Sequence, residues 1–305
     1  TISLLHFLSY LNAGGGLLKL VEIKGGAQQE RFVDGAQTIA IRMAEKLKGE
    51  VVLKAPVKSI HQSDDGVVVK AGRRTFRANY VVMCVPVPLL SKIAFEPELP
   101  WEKTRLIEDM PMGQTIKCIA TYERPFWRDN GFSGEVVISN GPLSVIFDNT
   151  SYDGKTAALL GFSVGAAGRE FGELSVDERK REVLNTFANY FGPEALTPTD
   201  YAEKDWSAEE FSGGCPVANM KPGLWTTCGD SLRKPIGRLH FAGTETATEW
   251  TGYLEGALQS GERAASEVIE RMFKVRRAKP FAVTTRRISP GVLSRDVLDA
   301  PSTVQ

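Results

Sequence analysis

Histidine and cysteine are scarce in this chain. Three histidines (His6, His61, His240) and four cysteines (Cys84, Cys118, Cys215, Cys228) occur in 305 residues, and no two cysteines form a CxxC pair. That supply argues against a zinc site built from Cys and His and against a disulfide scaffold. Neither sign of charge is in excess, with 37 basic side chains against 37 acidic ones, whereas a nucleic-acid surface would show a basic surplus. No run approaches the roughly 18 apolar residues of a membrane-spanning helix. No GxGxxG turn is present: Gly14-Gly15-Gly16 follows no strand pattern, and the glycines at 161, 165 and 168 have the wrong spacing. The opening run Thr1–Tyr10 has no initiator Met, basic stretch or small-residue cleavage site. It reads as a chain that opens inside a helix. What remains is an ordinary soluble globular protein, with two domains expected from the length. Its chemistry is expected to rest on something the chain holds, not on a side-chain triad.

Local patterns place the elements. Ile39, Met43 and Leu47 recur at helical spacing over residues 36–48, ending at Gly49. Val51-Val52-Leu53 reads as a short strand, and another begins at Val57, turning at Asp64-Asp65-Gly66 into Val67-Val68-Val69. Tyr80–Val85 is a continuous apolar run bounded by Pro86 and Pro88, the pattern of a strand buried on both faces. Strand signals return at 114–122, 135–138, 143–147 and 156–163. Ser175 and Glu178 form a capping box at the head of a helix over 175–191. Residues 273–305, with Arg276-Arg277 and three prolines, read as an extended or disordered tail.

The most informative stretch is Gly237–Phe273. A strand (237–242) leads into the polar turn Gly243-Thr-Glu-Thr246, and a helix follows from Gly252 with Leu254, Ala257, Leu258, Gly261, Ala265 and Val268 on its small apolar face. Unpaired N–H groups and the dipole at such a helix start make an anion and cofactor site. Taken alone, the same pattern also describes an ordinary strand-to-helix connection.

The whole segment GRLHFAGTETATEWTGYLEGALQSGERAA (237–265) is more specific, and it closely resembles the C-terminal FAD-binding motif of flavin-containing amine oxidases, the monoamine oxidase family. GGAQQERFVDGAQTIAIRMAEKL, APVKSI, YVVMCVPVPLL, MPMGQTIKCIATYERPFW and DWSAEEFSGGCPVANMKPG resemble the family's successive landmarks in the same order, over about residues 1–272. The resemblance implies a mixed α/β fold: a Rossmann-like FAD-binding domain from 33–106 and 209–272, incomplete at its N-terminus, and a substrate domain from 1–32 and 107–208. It implies FAD as cofactor, linked covalently through Cys215, with Lys117 holding a water near flavin N5. Trp206 then packs near the ring. Val57 meets the adenine end, and Gly243, Thr244, Gly252, Tyr253 and Leu254 cradle the pyrophosphate and the pyrimidine edge. Tyr253 becomes one wall of an aromatic cage for a neutral amine, and Val145, Phe147 and Phe162 line an apolar substrate cavity. Two glycines before Cys215 suit a backbone that approaches a ligand closely. A homodimer is implied as well, and a cytoplasmic location is expected for want of an anchor.

Two departures matter. The family's second cage aromatic follows the flavin-linked cysteine, where this chain has Pro216. The opening strand, GxGxxG turn and helix that bind the ADP half of FAD are absent, so the chain resembles the C-terminal two-thirds of the fold. The leading reading is an FAD-dependent oxidase of primary or secondary amines, or part of one, that uses O2 and releases H2O2. Beside it stand another flavin oxidoreductase, such as an L-amino-acid oxidase, and a truncated paralogue acting only as an interaction module.

Overall fold

The computed structural model describes residues 2–27 and 29–278. The first helix, α1 (Leu4–Ala13), does not run in from the start of the chain. Ser3 caps it, its side chain accepting from the backbone N–H of His6. The triglycine therefore follows a helix, and α2 (Leu17–Val21) and α3 (Gln37–Lys46) come next. The short strand expected at 51–53 does not form. Residues 51–53 are coil, with Leu53 78% exposed. They pair with none of the described strands: β1 (Val57–Ser63) has β2 (Gly66–Ala71) on one side and β5 (Ala94–Glu96) on the other.

The hairpin of β1 and β2 extends to β3 (Arg74–Ala78), giving a four-stranded sheet in the order β3-β2-β1-β5 with a parallel β1–β5 edge. The apolar run after it yields only β4 (Val81–Met83), which pairs in parallel with β11 (Leu239–Phe241). It is not buried on both faces, since Val82 is 39% exposed. Ile60, Val67, Met83, Leu90, Leu239 and Phe241 form one core around these two sheets. A second core joins α4 (Trp101–Asp109) to α8 (Leu224–Cys228) through Leu106, Met110, Met220 and Leu224.

The third core belongs to a five-stranded antiparallel sheet, ordered β10-β6-β9-β8-β7. Its strands are β6 (Thr115–Tyr122), β7 (Val136–Val137), β8 (Val145–Asp148), β9 (Ala157–Val164) and β10 (Asp200–Asp205). Strand alternation divides its faces. Ile116, Cys118, Ala120 and Tyr122 point into the core, against Val183, Phe187 and Phe191 of α7 (Val176–Phe191) and against Phe126 and Trp127 of α5 (Phe126–Asp129). The capping box of α7 forms as expected: Ser175 accepts from the Glu178 N–H at 3.3 Å, and Glu178 accepts from the Ser175 N–H at 2.9 Å. Between β9 and α7 lies α6 (Gly165–Gly172).

The last helix, α9 (Leu254–Ala278), is longer than expected, so 273–278 are helical and not extended; the rest of the expected tail lies outside the described residues. The chain divides into one compact unit, 1–268, which holds every sheet, and a second beginning at Ile269. No helix among the described residues is long and apolar enough to cross a membrane.

Candidate functional site

The site is built in two parts. The first is the open face of the five-stranded sheet. Lys117 pairs with Phe162, and Phe162 with Val145, in one row across β6, β9 and β8; Ile119, Leu160 and Phe147 form the next row. All six are half-buried, in contrast to the core face. The Lys117 ammonium lies 5.3 Å from the centre of the Phe162 ring, and Phe162 meets Phe147 edge-on at 5.9 Å. Four of the expected residues are thus neighbours on one largely apolar wall, and at its β10 edge Lys204 stands opposite Lys117 and is ion-paired with Glu209.

Cys215 reaches this wall from a loop. Its N–H donates to the Gly113 carbonyl at 2.9 Å, and its own carbonyl accepts from the Thr115 hydroxyl at 2.9 Å. The Trp206 N–H donates to the Thr115 carbonyl at 3.2 Å, so one buried threonine fastens both residues. Burial raises the Cys215 thiol above its ordinary range, and the positive charge of Lys117 acts in the opposite sense. The indole N–H of Trp206 is buried without a hydrogen-bond partner among the described residues. The glycines before Cys215 have a different use from the one expected. A Cβ on Gly214 would lie 2.3 Å from the Gly113 carbonyl oxygen, and Gly214 has φ +150°. The close approach that Gly214 allows is to the chain's own backbone at Gly113, whereas a Cβ on Gly213 would meet the Leu89 side chain at 3.2 Å.

The second part is the turn between β11 and α9. Gly243 has φ +95°, and a Cβ there would stand 3.3 Å from the Cys84 carbonyl oxygen at the end of β4. The Thr244 hydroxyl accepts from the Gly252 N–H at 2.7 Å and donates to the Tyr253 carbonyl at 2.9 Å. Its side chain is committed to holding the helix start and its carbonyl accepts from the Ala247 N–H at 3.2 Å, which leaves its backbone N–H for any ligand. Gly252 has φ +88°, and the Tyr253 ring is half-buried, edge-on to Trp250 at 5.4 Å. Leu254, at the first position of α9, is 53% exposed.

A buried carboxyl joins the two parts. Glu245, 7% exposed, accepts from the Ala218 N–H at 3.3 Å, which ties the turn to the loop that carries Cys215. Burial raises this carboxyl above the ordinary range. Val57 stands apart, packed at the margin of the core that holds Met83 and Phe241, the strands from which the turn departs. Sequence reasoning passed over Thr115 and Glu245. A threonine in a strand and an acidic residue in a polar turn carry no local signal of burial.

The family model described as flavin containing amine oxidoreductase matches residues 2–269. A probable flavin-containing monoamine oxidase A of Dictyostelium discoideum is 40% identical over 273 residues, which is 89% of this chain and 60% of that protein. An amine oxidase [flavin-containing] of Danio rerio is 43% identical over 90% of this chain and 53% of its own length. Among solved structures, cyclohexylamine oxidase from Brevibacterium oxydans superposes with a TM-score of 0.84 at 33% identity, over 89% of this chain and 60% of that one. A redesigned putrescine oxidase gives 0.83 at 33% identity, over 87% and 59%. The chain therefore spans between half and two-thirds of the length of these relatives. With a family model covering almost all of its described residues, and with the fold of the solved amine oxidases, the chain belongs to the flavin-containing amine oxidoreductases.

Proposed function

We propose that this chain carries the flavin-facing and substrate-facing part of an FAD-dependent oxidase of primary or secondary amines. The observation that carries the reading is the convergence of Lys117, Cys215 and Trp206 on one apolar sheet face, with Thr115 fastening the last two. Three features suit a flavin. Trp206 presents a buried N–H that an acceptor from outside the protein would satisfy. The first N–H groups of α9 open the long helix beside the turn, where the dipole favours negative charge. A glycine at 243 leaves the head of the turn without a side chain. Bound FAD would supply hydride acceptance at N5, with dioxygen as final acceptor and hydrogen peroxide as product.

The protein's own groups would do the rest. Val145, Phe147 and Phe162 offer an aryl or alkyl group an apolar wall. The Lys117 ammonium repels a second cation, so an amine at this wall binds deprotonated, with its lone pair free. Tyr253 supplies an aromatic wall from the turn. Helix α9 stabilises negative charge on an acceptor held at its start. The imine product then hydrolyses to the carbonyl compound. Division into a flavin part (33–106 and 209–272) and a substrate part (1–32 and 107–208) belongs to the same proposal, as does homodimer formation. The position of the five-stranded sheet within 107–208 supports the former, and family resemblance alone supports the latter.

Acid precipitation tests the reading directly. The purified chain, saturated with FAD, is precipitated and flavin absorbance is sought in the redissolved pellet. Flavin is expected in the wild-type pellet and in the supernatant of Cys215→Ala. A wild-type chain that binds no flavin at all would refute the assignment of the cofactor site to this part of the fold.

A further inference from the structure

The proposed amine site has one aromatic wall where a pair would clamp it from both sides, because Pro216 follows the cysteine. A half-buried phenol ring with one free side would swing about its side-chain torsions. Three residues before Tyr253 stands a tryptophan in a conformation that its side chain disfavours. Among the described residues other than glycine, only Lys54 and Trp250 have a positive φ, +55° and +52°. A left-handed backbone crowds Cβ against the following carbonyl oxygen, and a bulky residue persists there only where its surroundings hold it.

The surroundings of Trp250 do so from both sides. Its N–H donates to the carbonyl of Ala13, the last residue of α1, at 2.8 Å. Its carbonyl accepts from the Tyr253 N–H at 3.0 Å, and a Cβ on Gly256 would stand 2.2 Å from the same oxygen, so the Trp250 peptide is pressed on the first turn of α9. Between the two residues, the Tyr10 ring lies against Gly252, where a Cβ would stand 3.1 Å from Tyr10 Cε2. Glycine or asparagine would adopt this backbone at less cost. What a tryptophan adds is its ring, which meets the Tyr253 ring edge-on at 5.4 Å with an interplanar angle of 80°.

We propose that Trp250 is the positioning residue of Tyr253: its left-handed backbone turns the indole onto the Tyr253 ring, and the edge-on contact fixes the plane of the one aromatic wall of the amine site. This rests on the reading of Tyr253 as that wall. Trp250 acts through Tyr253 and takes no part in the chemistry. Its loss therefore widens the range of ring orientations and weakens amine binding, with little effect on the rate of the bound complex.

The test uses the full chain labelled with 3-fluorotyrosine, in which the Tyr253 resonance is the one missing from Tyr253→Leu. Trp250→Asn removes the ring and keeps a residue that tolerates the left-handed backbone. Trp250→Leu, which fills the site without an aromatic edge, is read beside it, so a poorly folded Asn protein does not end the comparison. In both, the Tyr253 fluorine line should narrow to about half its width or less as the ring turns freely; in Trp250→Phe it should keep its wild-type width. In the flavin-loaded protein KM should rise about two- to ten-fold in Trp250→Asn, the range an aromatic pair carries. There kcat should change less than about two-fold, and Trp250→Phe should restore KM. Trp250→Asn added to Tyr253→Leu should bring no further change. An unaltered line width in the variants without the ring, or effects of the two substitutions that simply multiply, would overturn the inference. Should Tyr253→Leu alone leave KM untouched, the amine-wall reading fails, while the line width still decides what Trp250 does.

Discussion

Removing the Thr244 hydroxyl should loosen the start of α9 by a measurable amount. Thr244→Val is close to isosteric, so the change is confined to one oxygen and its two hydrogen bonds, from the Gly252 N–H at 2.7 Å and to the Tyr253 carbonyl at 2.9 Å. Each neutral hydrogen bond contributes about 0.5–1.5 kcal/mol net. Thr244 is half-buried, so water partly re-satisfies the orphaned groups. The expected loss is about 2 kcal/mol. For a chain of this size a urea m-value of about 3 kcal/mol/M turns that into a fall of roughly 0.7 M in the unfolding midpoint. Thr244→Ser keeps the hydroxyl and should lose less than about a quarter of that amount. Equilibrium urea unfolding followed by tryptophan fluorescence reads all three proteins. A Thr244→Val midpoint equal to that of wild type would show that the hydroxyl does not hold the turn, and with it would go the account of how Gly252 and Tyr253 are set.

Two further predictions depend on the surroundings of the same turn. Lys103 is almost fully buried over the Phe241 ring, its ammonium 3.6 Å from the ring centre and donating to the Leu232 carbonyl at 3.0 Å, yet burial, with a smaller contribution from Arg263, lowers its pKa to about 7. Between that value and the unfolded lysine's about 10.4, the unfolded chain binds the extra proton, so stability must rise with pH. The rise should be about 1 kcal/mol per unit from pH 7.5 to 9.5 in urea titrations, and it should vanish in Lys103→Met; a rise of the same slope in the variant would assign it to other groups. The glycines of α9 give a paired test by thermal melts. A Cβ on Gly256 would stand 2.2 Å from the Trp250 carbonyl oxygen, whereas one on Gly261 meets nothing within 4 Å. Gly256→Ala should destabilise by about 2–3 kcal/mol or more and Gly261→Ala should stabilise by about 0.5–1 kcal/mol; equal responses would mean that the turn does not press on the helix.

Much of the fold could be read from local signals, because the physics concerned is local. The capping box of Ser175 and Glu178 needs four residues, and the strands at 115–122 and 157–164 need only their own composition. The failures are of another kind. Val51-Val52-Leu53 has strand composition but pairs with none of the described strands. The run at 80–85 looked like a strand in the middle of a sheet. It pairs with β11 alone among the described strands, so a face expected to be covered is partly open. Pairing is a property of the whole chain, and composition carries none of it.

The site divides along the same line. In Thr115–Tyr122 the set Ile116, Cys118, Ala120 and Tyr122 is apolar and the alternate set is mostly polar, so the pattern gives both the strand and the face that turns to the core. Packing against α7 agrees, and Lys117 falls on the side away from the core. Gly214 shows the converse. Its need for backbone freedom is legible, but not that it admits the carbonyl of Gly113, beside which Cys215 meets Thr115 and, through it, Trp206. Tyr10 left no signal at all, being one more ring in an apolar helix. Its significance appears only when Gly252, at the opposite end of the chain, proves to lack a side chain where the Tyr10 hydroxyl must pass. A contact between segments so far apart in sequence is recorded at residue 252 only as a missing side chain.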